Sequence, residues 1–124
     1  MFTVQIRDHI MIAHSFKDPF FGPAQKVHGA TYVIDVTFST PELNKHNVVI
    51  DIGKAHEIVK QVLAPINYQN LDEHPDMLGD LTTTEYLAKY IHDKVKTQSA
   101  DFFDGKIKVV LGESHVAWAG YEGS

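Results

Sequence analysis

Residues 28–36 read HGATYVIDV, and the alternation in this stretch decides the fold class. Successive side chains of an extended chain point to opposite sides, so Tyr32, Ile34 and Val36 share one face and Thr31, Val33 and Asp35 the other. His28 and Ala30 continue the apolar parity toward the start of the run. The pattern stops at Pro41 and predicts a strand over about 28–40. A buried stripe that begins with a histidine has two readings: a hydrogen-bonded core imidazole, or a ligand at the rim of a sheet.

Outward from this strand, the same period recurs. In FTVQIRDHIMIAH, residues 2–14, the side chains of Phe2, Val4, Ile6, Ile10, Ile12 and His14 share a parity that only Asp8 breaks. A strand with an irregularity near Asp8 is expected. The loop that follows carries Pro19, Gly22 and Pro23. Beyond the second strand the period changes. Asp51 is a good N-cap, and Ile52, Ala55, Ile58, Val59, Val62 and Leu63 keep helical spacing up to Pro65. A second helix begins at TTTEYLAKYIHDKV, where Thr82 and Glu85 have capping-box spacing and Leu87, Ala88, Ile91 and Val95 line one side. The chain then returns to strands: Ile107, Val109 and Leu111 alternate, Glu113 continues their parity, and a last strand covers about His115–Tyr121.

The order β-β-α-α-β-β predicts an α+β domain spanning residues 1–124, an antiparallel four-stranded sheet with two helices on one face. The other face is then solvated or covered by another subunit.

The composition narrows the function. Net charge is -5, with no block of lysines and arginines, so nucleic acid is excluded as the expected partner. There is no cysteine, which removes disulfides, thiolate metal sites and cysteine nucleophiles. No apolar run approaches the roughly 18 residues of a membrane span, and no charged-then-apolar leader opens the chain, so no membrane partner and a cytoplasmic location are expected.

Three polar side chains sit where apolar stripes run out: His14, His28 and Glu113. If the first two strands form a hairpin, His14 and His28 meet at its loop end. Two imidazoles on one face begin a zinc site, which as a catalytic centre takes three protein ligands and an open position. The segment NLDEHPDMLGD offers Asp72 and His74, either a polar surface loop or an Asp–His pair for proton transfer. Three successive threonines, Thr82 to Thr84, exceed what one helix cap needs. Glu113 inside a stripe requires a partner: a lysine or arginine, or a ligand with paired N–H donors such as the amidine edge of a pterin. His9, His46, His56 and His92 are expected on the surface.

Taken together, AHSF at 13–16, HGATYVIDV at 28–36, VVIDIGKAHEIVK at 48–60, LDEH at 71–74, TTTEYLAKYI at 82–91 and ES at 113–114 resemble the family of 6-pyruvoyl- and 6-carboxy-tetrahydropterin synthases over nearly the whole chain. The resemblance implies the tunnelling fold, assembled as a homo-oligomer, typically a hexamer of two trimeric rings. It implies a zinc-dependent carbon–oxygen lyase acting on a dihydroneopterin triphosphate-like pterin. Of the family's three zinc histidines, His14 and His28 match two, while Ala30 stands in the third place; His115 and His74 are the candidates to replace it. The family's cysteine base is missing from the loop FFGPAQKV, and its adjacent Asp–His pair becomes Asp72-Glu73-His74, so that Asp72 matches and His74 is displaced by one. Glu113, Thr83 and Thr84 match the pterin-recognition positions. The alternative is an oligomeric pterin- or purine-binding protein that no longer catalyses.

Overall fold

The computed structural model describes all 124 residues. Strands β1 (Phe2–His14) and β2 (His28–Thr40) form a long antiparallel hairpin, in which Phe2 opposes Thr40, Ile6 opposes Val36 and His14 opposes His28. Helix α1 (Ile52–Leu63) follows. A two-residue strand β3 (Gln69–Asn70) then runs parallel to β1 at Ile12 and Ala13. After helix α2 (Thr84–Ser99), β4 (Lys106–Ser114) and β5 (Ala117–Gly123) close the chain as a second hairpin. The sheet order is β3-β1-β2-β4-β5.

The α+β class and the two-helix layer are as expected, but the sheet has five strands where four were anticipated. A two-residue strand is too short to leave a periodic trace. It is held by local chemistry instead: Asn67 Oδ1 accepts from the Met11 N–H at 3.0 Å, and the Tyr68 N–H donates to the Met11 carbonyl at 2.7 Å. No irregularity interrupts β1 at Asp8, which pairs in register with Ile34.

One face of the sheet buries Ile10, Tyr32, Ile34, Val36, Phe38, Val109 and Leu111 against both helices. Helix α1 contributes Ala55, Ile58, Val59, Val62 and Leu63, at the positions its spacing assigns; Asp51 caps it by accepting from the Lys54 N–H at 3.2 Å. At roughly 25 cal/mol per Å² of apolar surface removed from water, this single interface supplies most of the driving force for folding. The opposite face is open and carries an exposed bidentate pair, Arg7 to Asp35 at 2.7 and 2.9 Å.

Two sequence expectations fail in the second half. The cap of α2 is Thr83, whose hydroxyl accepts from the Tyr86 N–H at 3.1 Å. Thr82 is not available for capping, because it is buried and its Oγ1 lies 3.0 Å from His14 Nδ1. His92, expected on the surface, is 2 % exposed. Its Nδ1 meets an Asp93 carboxylate oxygen at 2.9 Å, its Nε2 the Gly123 carbonyl at 3.2 Å, and its ring lies edge-on to Tyr121. It lies on the same helical stripe as Ala88 and Val95, which here packs against β5.

Candidate functional site

The continuous register of the β1–β2 hairpin places His14 directly across from His28, with ring centroids 4.6 Å apart in an edge-on arrangement. Phe16 packs 4.6 Å from His14 and 5.7 Å from His28, and Phe21 stacks behind Phe16. The connecting loop 15–27 thus folds back on the histidine pair. His14 is 1 % exposed, whereas His28 is only half-buried at the rim.

The partners of each imidazole assign its free nitrogen. His28 Nδ1 lies 2.8 Å from the Lys26 carbonyl, which only accepts, so the neutral ring carries its proton on Nδ1 and leaves Nε2 a bare lone pair. His14 Nδ1 is engaged by the Thr82 hydroxyl. Burial pushes the His14 imidazole below its ordinary value, and the neighbouring His28 charge adds to this; Asp72 and the contact to Thr82 pull the other way.

Asp72 is held in place by Ser15, whose N–H donates to Oδ1 at 3.1 Å and whose hydroxyl donates to Oδ2 at 2.5 Å. Asn70 fixes the turn by accepting from the Asp72 N–H at 3.0 Å. His74 does not complete an Asp–His pair, since no hydrogen bond joins it to Asp72. Its Nδ1 accepts from the Asp76 N–H at 3.1 Å, which leaves the neutral ring with its proton on Nε2. Beside these groups lies an open depression of about 440 Å³, lined among others by Ser15, Lys17, Asp72 and Asp80.

Histidines that bind metals are usually tethered through the second ring nitrogen, and both His14 and His28 are tethered in this way. The donor set nevertheless stops at two. Ala30 presents a methyl group that packs against the core. His115 is exposed in the turn before β5, which starts at Ala117 rather than at His115, and His74 Nδ1 is committed to Asp76. No group of three His, Cys, Asp or Glu side chains converges in a geometry for a metal ion. The residues of one protomer therefore do not fit a three-ligand zinc centre.

Glu113 departs from its expected burial. Gly112 pairs with Trp118 and Ser114 with Ala117, so Glu113 is the extra residue of a β-bulge and is exposed. The bulge turns its carboxylate beside Thr84 in a small cavity of about 70 Å³, walled by Trp118, Ala117, Ala119 and Glu85. A Cβ at Gly112 would approach the Trp118 indole to 3.0 Å, so glycine lets that wall lie against the sheet. Tyr32 faces the same place from β2. Burial pushes its phenol up, the neighbouring Thr84 opposes this, and the Glu113 and Glu85 charges push it further up. The structure thus brings Glu113 and Thr84 together and keeps Thr83 as a helix cap. Sequence reasoning missed Ser15 and Tyr32 and read Thr82 only as a helix cap; Ser15 and Thr82 act across 57 and 68 residues of chain and leave no local pattern.

The sheet order and the helix layer define an α+β protein of the tunnelling-fold class. Its structure superposes on 6-pyruvoyl tetrahydropterin synthase of Caenorhabditis elegans with a TM-score of 0.83 at 24% identity, covering 99% of this chain and 96% of that one. The Plasmodium vivax 6-pyruvoyl tetrahydropterin synthase gives 0.74 at 16% identity over 98% of both chains. The family model described as 6-pyruvoyl tetrahydropterin synthase matches residues 3–124, and the chain belongs to this family. It is 31% identical over 94 residues to the 6-carboxy-5,6,7,8-tetrahydropterin synthase of Bacillus subtilis (strain 168), a match covering 71% of this chain and 61% of that protein's length. It is 27% identical over 97 residues to the 6-pyruvoyl tetrahydrobiopterin synthase of Dictyostelium discoideum, over 77% and 71% of the two. No helix is long and apolar enough to cross a membrane.

Proposed function

We propose that this chain binds a pterin-like heterocycle and processes its side chain as a carbon–oxygen lyase on a dihydroneopterin triphosphate-like substrate. The observation that carries this reading is the shared cavity of Glu113 and Thr84 in a chain of this family. An ionised carboxylate accepts two parallel N–H donors, and the 2-amino group and ring N–H of a pterin supply such a pair. The cavity is small, so the ring enters edge-first and its side chain lies outside. Thr84 adds a hydroxyl to the anchor, and Thr83 holds the helix start against it.

On the side chain, the reaction breaks a carbon–hydrogen bond and expels an oxygen leaving group, with the electron pair forming a carbon–carbon double bond. His28 offers a bare Nε2 lone pair to take the proton. His74 carries its proton on Nε2 and donates a hydrogen bond to the leaving oxygen, which departs as an anion. Asp72, fixed by Ser15, raises the proton affinity of the neighbouring His14. The assembly is a homo-oligomer in this reading: Met11 and Val33 are exposed on the open face, and the outer edge of β5 has no partner within the chain.

A second reading, a non-catalytic pterin-binding oligomer, is favoured by one specific observation: the reacting end has two imidazoles, no third donor and no Asp–His pair. Incubation with dihydroneopterin triphosphate, with product detection and a parallel binding titration, separates the two. Product formation that His28→Ala abolishes is expected. Binding without product would leave the second reading standing, and absence of binding would sink both.

A further inference from the structure

The segment from Leu71 to Thr82 carries Asp72 and Thr82, the two groups that hold Ser15 and His14, yet little secondary structure supports it. It consists of two short 3₁₀ turns, Leu71–Glu73 and Pro75–Met77, and a glycine at φ 81. Its backbone hydrogen bonds beyond Leu71 are local: His74 to Leu71, Met77 to His74 and Asp80 to Met77. Only Leu71 and Met77 bury apolar side chains in the core, and Leu78 is largely exposed. Such a segment opens easily unless something else ties it to the body of the protein.

Helix α2 provides two ties. The Tyr86 hydroxyl donates to Asp80 Oδ2 at 2.7 Å, and the Tyr90 hydroxyl donates to Asp76 Oδ2 at 2.8 Å. Four residues separate the tyrosines and four separate the aspartates, in opposite chain directions. The segment therefore runs back along the helix, and the two bonds are successive rungs about one helical turn apart. Lys94 stands 3.8 Å from the same Asp76 carboxylate and over the Tyr90 ring. The phenols are poised to donate, since burial, with the aspartate hydrogen bonds next, pushes both up to about 12.

We propose that Tyr86 and Tyr90 are positioning residues, a two-point strap by which α2 fixes the 74–82 segment and so sets Asp72 on Ser15 and Thr82 on His14. The role in turnover rests on the lyase reading above; the strap itself does not.

The test replaces only the two hydroxyls, in Tyr86→Phe/Tyr90→Phe, which retains ring packing. Amide hydrogen exchange over residues 76–82 should accelerate about a hundredfold, the effect of two lost charge-assisted hydrogen bonds at about tenfold each, with exchange in the middle of α2 unchanged. The ¹⁵N signal of His14 Nδ1 should shift, although neither tyrosine touches that ring. Asp76→Asn/Asp80→Asn keeps neutral acceptors and should show an intermediate acceleration, while Asp76→Ala/Asp80→Ala should match the phenylalanine variant. Where turnover is measurable, kcat should fall about tenfold with KM unchanged, because the Glu113 anchor is untouched. Unchanged exchange over 76–82 and an unshifted His14 signal would overturn the strap whatever the activity. Faster exchange in a protein whose wild type forms no product would support the strap and count against the lyase reading alone.

Discussion

The two ends of the proposed site differ in how they are built. At the heterocycle end, Glu113 and Thr84 come from a bulge and a helix start that meet in one cavity, with Tyr32 behind them. At the reacting end, His14 and His28 are opposed by strand register and wedged by Phe16, and the position that would add a third imidazole is a methyl group. Recognition needs few groups and tolerates exposure, because one carboxylate with paired donors already gives orientation. Chemistry at a catalytic zinc takes three protein donors and an open position. On the proposed reading, the ligand end keeps its anchor while the reacting end is short of a donor.

The sharpest way to break this comparison is at Glu113. Glu113→Ala should weaken pterin binding by about a hundredfold, as expected when two ligand donors lose a charged acceptor, and fluorescence titration reads it directly. Unchanged affinity would mean that the anchor lies elsewhere. At the other end, Ala30→His should convert two donors into three. Zinc affinity should rise by about a hundredfold and approach one equivalent per chain, measured by elemental analysis after chelator treatment and reloading. If metal content does not change, residue 30 does not face the histidine pair.

Smaller effects separate the two threonines that look alike in sequence. Thr82→Val leaves His14 Nδ1 without its partner and should cost about 1–2 kcal/mol in urea unfolding. Thr83→Ala removes a helix cap and should cost about 1 kcal/mol, with no effect on the His14 ring signals. The pH dependence has a definite sign. His14 binds its proton less readily when folded, so the unfolded chain takes up more protons below about pH 6.5. Its contribution to stability is complete above that value and is lost as the pH falls toward the depressed folded value. Thermal melts between pH 8 and 5 should show this loss, reduced in His14→Gln.

Much of the architecture was legible because it is periodic. Both long strands and both helices follow from parity and spacing, and the opposition of His14 and His28 follows once the two strands pair as a hairpin. Parity misled at Glu113, where a bulge inserts a residue and turns the side chain out of the stripe. The capping pattern misled at Thr82 because a residue 68 positions away competes for its hydroxyl. His92 was the opposite case: three residues before Val95 and four after Ala88, it lay on the apolar stripe in plain view, and its polarity hid it. The short strand β3 and the Ser15–Asp72 pair arise from tertiary contacts and have no local signature.

The unbroken pairing of β1 with β2 has a further consequence for how this chain varies. Thirteen residues oppose thirteen, so a single insertion in either strand would exchange the buried and open faces and carry one histidine away from the other. Within this hairpin, a length change that preserves the register falls in residues 15–27, the loop that lies against the histidine pair. Diversity among homologues, and any engineered change of substrate, should therefore be written in loop length there, with the strands on either side unchanged in length.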